Sequence, residues 1–425
     1  MHAIKSLNND IKIITEENRF IRSISLGIWV NIGSKNENKK TNGLSHFIEH
    51  MVFKGTNDLN SKNIADRIDL LGGQANAFTT KDLTCFYIRI LDTDFDSALE
   101  LLSHIVLKSN FPDEEIEREK HVIIEEINMY EDSPEELVFE MINKNVLIDT
   151  SLGLPILGDA NKIKNYKQKN LKDYYNKNYI ASNFIITASG NFKSIEIVDK
   201  INNFFGDLKK IDSDNLNNFE NVNYRKSFDF KIKDIEQSHM CIAFPGIKHD
   251  IENNYAMAVF NTIFGGGMSS RLYQKIREEF GLAYSIYSYN YSYDTIGVFV
   301  IYAATSQNKF KKCLELILRE IKDLYIKNIT EEDILKTKQQ LKSSYLMALE
   351  SSSSRMSSLG KSYCTYKKVL TPDEIIDKIN SVKLGDVYKL ANEIFNFNQI
   401  SLCVVAKNKL IEENEFEEII NNSRK

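Results

Sequence analysis

SISLGIWVNIG, residues 23–33, sets Ile24, Leu26, Ile28, Val30 and Ile32 against mostly small or polar neighbours. That two-residue period belongs to a β-strand with one face on a core. Working outward, a helical pattern runs through HFIEHMVF and another near IADRIDLLG, followed by a strand over AFTTKDLTCFYIRI (77–90). Next come an amphipathic helix over DFDSALELLSHIV (94–106), a long charged helix from Pro112 to about Glu131, and a helix–strand pair over 171–191. SHMCIAFPG (238–246) then opens the same order again. A helix from Asn254, a glycine-rich break, helix SSRLYQKIREEF (269–280) and strands AYSIYSYN and GVFVIYAAT follow it. Helix FKKCLELILREIKDLY (310–325), a long helix from Thr330 to about Leu349, and a closing helix–strand pair over 384–408 complete the repeat. The pattern predicts an α+β protein of two structurally similar αβ domains, each an antiparallel sheet covered on one face by helices. Their expected limits are 1–206 and 228–425, joined by a polar linker at 207–227 that lacks apolar periodicity. SSSSRMSS (351–358) reads as a short loop or helix start without an assigned role.

At 425 residues the chain is too long for one ordinary core, which agrees with two domains. Hydrophobic content of 42% with 27% charged residues fits a soluble globular protein, and a net charge of −5 gives no general attraction to nucleic acid or anionic membrane. The first twenty residues lack the apolar core of a secretory signal. No apolar run approaches the roughly 20 residues of a bilayer span, so a cytoplasmic protein is expected. Cys85, Cys241, Cys313, Cys364 and Cys403 are odd in number and mostly set in apolar stretches, which favours reduced, buried thiols. A bound metal must therefore be held by histidine and carboxylate.

Two of the seven histidines lie in HFIEHMVFKG, where His46 and His50 share a helical face and Glu49 stays near it. Both imidazoles can reach one ion at about 2.0–2.1 Å, leaving Glu49 as a base for water. The bland alternative is an amphipathic helix that happens to carry two surface histidines. A catalytic site needs a third protein ligand, and EEIEREKHVIIEEINMYED (114–132) supplies candidates. At about 100° per residue, Ile116, Ile123, Ile127 and Tyr130 form the core-facing stripe. Glu119 and Glu126 fall about 40° and 60° to one side of Ile123, whereas Glu125 points nearly away. Carboxylates beside a buried stripe need a positive partner. That partner is either a cation shared with His46 and His50 or a lysine or arginine of another helix. The reading taken is Glu126 as third ligand and Glu119 as a supporting carboxylate.

GLSHFIEHMVFKGT (43–56) together with EREKHVIIEEINMYEDSPEE (117–136) resembles the pitrilysin family of zinc peptidases. The likeness extends through SISLGIWVNIGS and GGQANAFTTKDLT to GGGMSSRLYQKIREEFGLAYSIYS, most of the chain. It implies Zn²⁺ held by His46, His50 and Glu126, with Glu49 as general base. It further implies a peptide substrate laid along a sheet edge at Asn76, Ala77 and Phe78, where the residues alone would give an ordinary loop leading into a strand. Arg277 and Tyr284 are expected to contact the substrate and polarise the attacked carbonyl. By themselves they read as a solvated arginine and one of 20 tyrosines. Two-domain members imply a homodimer in which Arg277 and Tyr284 complete the mate's site in trans. A noncatalytic, substrate-presenting partner subunit is the rival reading. The chain departs from the family at Asn8-Asn9-Asp10, where relatives often carry Gly after Asn in the first hairpin. Gly265-Gly266-Gly267 is not followed by Gly-Lys-Ser/Thr, which argues against a phosphate loop.

Overall fold

The computed structural model describes residues 2–210, 222–325 and 329–424. The first half runs β1 (His2–Ser6), β2 (Lys12–Glu17), β3 (Ser23–Val30), α1 (Leu44–Met51), α2 (Ser61–Leu70), β4 (Gln74–Thr79) and β5 (Thr84–Leu91). It continues with α3 (Phe95–Leu107), α4 (Asp113–Asp132), α5 (Pro134–Val146), α6 (Ala160–Asn165), α7 (Gln168–Asn178), β6 (Phe184–Gly190) and α8 (Ser194–Phe205). The second half runs β7 (Phe228–Ile232), β8 (Gln237–Gly246), α9 (Ile251–Phe264), β9 (Ala283–Ser292), β10 (Gly297–Ser306), α10 (Phe310–Tyr325) and α11 (Glu331–Ala348). It ends with α12 (Ser352–Tyr366), α13 (Pro372–Ser381), α14 (Leu384–Ile394), β11 (Ser401–Ala406) and α15 (Glu413–Arg424).

Two sheets result, ordered β1-β2-β6-β3-β5-β4 and β7-β11-β8-β10-β9. Set aside β1, and the second order repeats the first strand for strand, which is the duplication expected from the element pattern. Both sheets are antiparallel but for one parallel pair each, β2 with β6 and β11 with β7. β6 inserts between β2 and β3, and β11 between β7 and β8; the flanking strands run in opposite senses, so each inserted strand is parallel to one and antiparallel to the other. The run over 77–90 is two strands, β4 and β5, because the Thr80 hydroxyl accepts from the Asp82 and Leu83 amides and turns the chain. In the first hairpin the left-handed residue is Asp10, with φ 70°. Asn9 instead donates its side-chain amide to the carbonyls of Phe205, Gly206 and Leu208.

The chain divides into two compact units whose membership is not contiguous. The first comprises residues up to Met129, the stretch from Leu154 to the linker, and the segment Leu346–Thr371. The second takes Tyr130–Gly153, the stretch from the linker to Tyr345, and the residues from Pro372. The divisions 1–206 and 228–425 thus differ from the packing in two segments, carrying α5 and α12. The larger part of the expected linker, 211–221, lies outside the described residues.

Each unit therefore has helices on both faces of its sheet, where one covered face was expected. In the first, Ile24, Leu26, Ile28 and Val30 meet residues of α1, α3, α7 and α8, while Trp29 on the opposite face packs with Met356 and Leu359 of α12. Trp29 is fully buried and donates its indole N–H to Thr187 at 2.7 Å. Small residues permit this close approach: a Cβ at Gly360 would lie 2.1 Å from the Trp29 ring, and one at Gly27 2.4 Å from Met356 Sδ. SSSSRMSS thus begins a packing helix, capped by Ser351 and tied by Ser352 to Ser25. In the second unit, Leu137, Val138, Ile142 and Val146 of α5 cover Cys241, Ala243, Val298 and Val300.

Candidate metal centre

α1 is eight residues long and is preceded at its cap position by Gly43, which has a φ of 93° and no side chain to cap the helix. Glu37 supplies the missing acceptor. Its carboxylate takes the amides of Gly43 and Ser45, both at 2.7 Å, and the Asn42 side chain at 3.2 Å. A negative group at a helix N-terminus is favoured by the exposed N–H groups and the helix dipole. Burial still pushes the Glu37 carboxyl up to about 7 against the pull of those donors. Behind the first turn, Ser45 Oγ and Tyr174 OH lie 2.9 Å apart.

The far end of α1 is stitched to the start of α4. Lys54 N–H donates to Met51 O at 3.0 Å, Thr56 pairs with Ser109, and Asn110 donates its side-chain amide to Thr56 O at 2.9 Å. Phe111 comes next with φ 48°, a conformation that side chains rarely adopt. It is held there by complete burial, by Tyr175 at 5.3 Å between ring centroids, and by Gln168, which donates to its carbonyl at 2.8 Å. Along α4, Ile116, Glu119, Lys120, Ile123 and Ile127 are buried. Tyr130, expected on the same stripe, is instead 41% exposed.

Three side chains from these two helices converge. His46 Nε2 and His50 Nε2 lie 3.6 and 3.7 Å from Glu126 Oε2. His46, His50 and Glu126 are a metal-capable cluster whose ligand atoms all fall within 4.8 Å of one another. Ligands about 2.0–2.1 Å from a tetrahedral ion stand about 3.3 Å apart, so the triangle is close to the size zinc needs. Burial, helped by the neighbouring His50, holds the His46 ring down at about 3. A neutral ring forms no ion pair with Glu126; it presents a lone pair instead. Burial raises Glu126 and His50 resists, whereas for His50 burial is outweighed by Glu119, Glu49 and Glu126, which raise it. Glu119 is 4% exposed and accepts from His50 Nδ1 at 3.0 Å and from Lys54 Nζ at 2.6 Å. Those two partners lower its carboxyl despite burial. Fit to a divalent ion carrying a water is further supported by Glu49 Oε2, a buried acceptor without a hydrogen-bond partner among the described residues; His46 Nδ1, on the ring edge away from the triangle, is likewise unpartnered there.

Glu49 sits beside the triangle, raised by burial and held by the Thr79 hydroxyl of β4. β4 is an edge strand, pairing with β5 alone among the described residues. Asn76 is exposed and its side-chain oxygen takes the Ala77 amide at 2.8 Å, so that N–H stands outside the β4–β5 ladder. Phe78 turns to the sheet's other face, 5.9 Å from Trp29 and under the Lys361 ammonium at 5.6 Å. Arg277 and Tyr284 belong to the second unit, where they meet each other. The guanidinium lies over the Tyr273 and Tyr284 rings at 4.8 and 5.9 Å, on a π-helical segment, Tyr273–Glu279, and Tyr284 is 72% exposed. Glu37, Lys54 and Thr79 had no role in the sequence reading. Lys54 and Thr79 carried only the signal of their place within the HFIEHMVFKGT and GGQANAFTTKDLT motifs, and Glu37 carried none. All five cysteines are buried and unpaired. Among the described residues, no helix is long and apolar enough to cross a membrane.

Known proteins resemble this chain in both sequence and fold. Residues 12–160, which contain every member of the cluster, match the model for insulinase (peptidase family M16), and residues 165–341 match the model for the peptidase M16 inactive domain. The chain is 37% identical over 387 residues to a Bacillus subtilis (strain 168) protein named uncharacterized zinc protease YmxG, covering 91% of this chain and 94% of that one. An uncharacterized zinc protease of Rickettsia felis is 36% identical, with 92% and 95% covered. In fold, a crystal structure of a protease from Helicobacter pylori superposes with a TM-score of 0.88 at 21% identity, covering 96% of this chain and 99% of that one. Identity of this extent over nearly the whole of both chains leaves one assignment: the protein is a member of peptidase family M16, the insulinase or pitrilysin peptidases.

Proposed function

We propose that the protein is a zinc-dependent endopeptidase acting on short or unstructured peptides. The observation that carries the reading is the convergence of His46, His50 and Glu126 with a half-buried Glu49 beside them, one of whose oxygens is buried without a partner among the described residues. A zinc ion there would supply Lewis-acid polarisation of water and of the scissile carbonyl. Glu49, raised by burial, takes a proton from the attacking water and returns it to the leaving amine. The edge of β4 at Asn76 and Ala77 would receive an extended peptide, which takes the Ala77 N–H in place of the Asn76 side chain that now holds it, with Phe78 stiffening the strand from its other face. Arg277 and Tyr284 act on the substrate carbonyl from the second unit of a partner copy, which makes the working form a homodimer.

A noncatalytic partner subunit is the competing reading, and the inactive label on the second matched domain is its best support. That label falls on residues 165–341, outside the cluster. The four filled positions at 46, 49, 50 and 126 favour the enzyme. The test is metal analysis of the purified protein, with cleavage of an unstructured fluorogenic peptide before and after chelation. Zinc content near one per chain and chelator-sensitive cleavage are expected; metal-loaded protein inert towards peptides, alone or at high concentration, overturns the enzyme reading.

A further inference from the structure

Beyond the cluster runs a second line of contacts. His50 turns Nε2 toward Glu126 and Nδ1 toward Glu119, whose other oxygen is occupied by Lys54 Nζ at 2.6 Å. Glu119 is nearly buried, with 5% side-chain exposure, and both of its oxygens are engaged. A carboxylate with one oxygen fixed cannot swing, so the other stays aimed at Nδ1. That bond in turn fixes the ring plane and the tautomer with its Nε2 lone pair inward. Lys54 is itself fixed. Its amide donates to Met51, the next residue bridges to Asn60, and Asn110 donates its amide N–H to Gly55 O at 3.3 Å, just ahead of α4. The anchor therefore stands on the same stitched segment that joins α1 to α4. An exposed lysine pairing on one helix surface would have no such consequence, since such pairs are worth little and hold no geometry.

We propose that Lys54 is a positioning residue for the metal centre, acting through Glu119 to orient His50. The assignment rests on the zinc-peptidase reading but concerns a residue that does not touch the ion or the substrate. It makes three demands. Lys54→Met should weaken zinc binding, whereas Lys54→Arg, which can still hold the carboxylate, should restore most of it. The loss should vanish when Glu119 is already Gln.

The experiment is competition for Zn²⁺ between a chromophoric chelator and the full-length protein as wild type, Lys54→Met, Lys54→Arg, Glu119→Gln and the double variant Lys54→Met/Glu119→Gln. Urea unfolding of each zinc-free form serves as a control for folding. The expected result is a 10- to 100-fold loss of zinc affinity in Lys54→Met at about unchanged urea midpoint. It should be accompanied by a changed d–d spectrum of the Co²⁺ form, recovery in Lys54→Arg and no further loss in the Glu119→Gln background. Wild-type affinity in Lys54→Met, or an equal loss with and without Glu119, overturns the assignment alone. Absence of measurable zinc binding in the wild type overturns both it and the reading on which it rests.

Discussion

The two units share a strand order, yet among the described residues only the first gathers a cluster able to hold a metal ion. The contrast lies in the helices that succeed equivalent strands of the two sheets. After β3 comes α1, with His46, Glu49 and His50; after β8 comes α9, IENNYAMAVFNTIF, which has no histidine. The long helices differ in the same way. α4 carries Glu119 and Glu126 beside its buried stripe, whereas the acidic residues of α11 are confined to its first turn. Topology was copied, and chemistry was not. A fold places helices, and it takes particular side chains on those helices to make a site.

The largest expected effect tests that contrast directly. Glu49→Gln should lower kcat for peptide cleavage by about 10²–10⁴-fold while zinc content stays unchanged by metal analysis. Undiminished turnover would move the chemistry out of the first unit. Next in size is the comparison of the two cores. Trp29→Ala should cost about 3–5 kcal/mol in urea unfolding, because it empties the site under α12 and leaves Thr187 without its donor. Gly360→Ala comes third at about 1–3 kcal/mol, since a Cβ there meets the Trp29 ring. A neutral outcome at Gly360 would mean that α12 can shift off the sheet.

The smallest effect concerns pH. Glu37 is raised in the folded state, so between its ordinary value and about 7 the folded protein binds the proton that the unfolded chain releases. Its contribution to stability is therefore full at low pH and declines as pH rises through that window. Glu37→Gln should flatten this part of the stability–pH curve measured by urea midpoints. An unchanged slope would show that the amides of Gly43 and Ser45 already keep the carboxylate ionised.

Much of this was legible in the chain. Alternation gave β3 and β8, and helical angle chose Glu126 over Glu125, which is exposed. β7 was missed because FDFKI is five residues after a polar stretch, too short for a period to show. β4 and β5 merged because the turn Thr80–Leu83 contains no Gly, Pro or Asn; its signal was a hydroxyl. The roles of Glu37 and Thr79 were out of reach since each meets α1 only through the fold. The exchange of α5 and α12 was equally hidden, because periodicity shows that a helix has an apolar face but not which sheet that face will find.

That exchange has a consequence for synthesis. A ribosome makes the strands of the first sheet, the last of which ends at Gly190, well before it makes α12, so the nascent domain must wait with Trp29 uncovered until Tyr366 has emerged. At roughly 5–20 residues per second the wait is on the order of ten seconds or more. During that interval the growing chain presents an apolar sheet face that chaperones can hold, and truncated messages would yield products unable to mature.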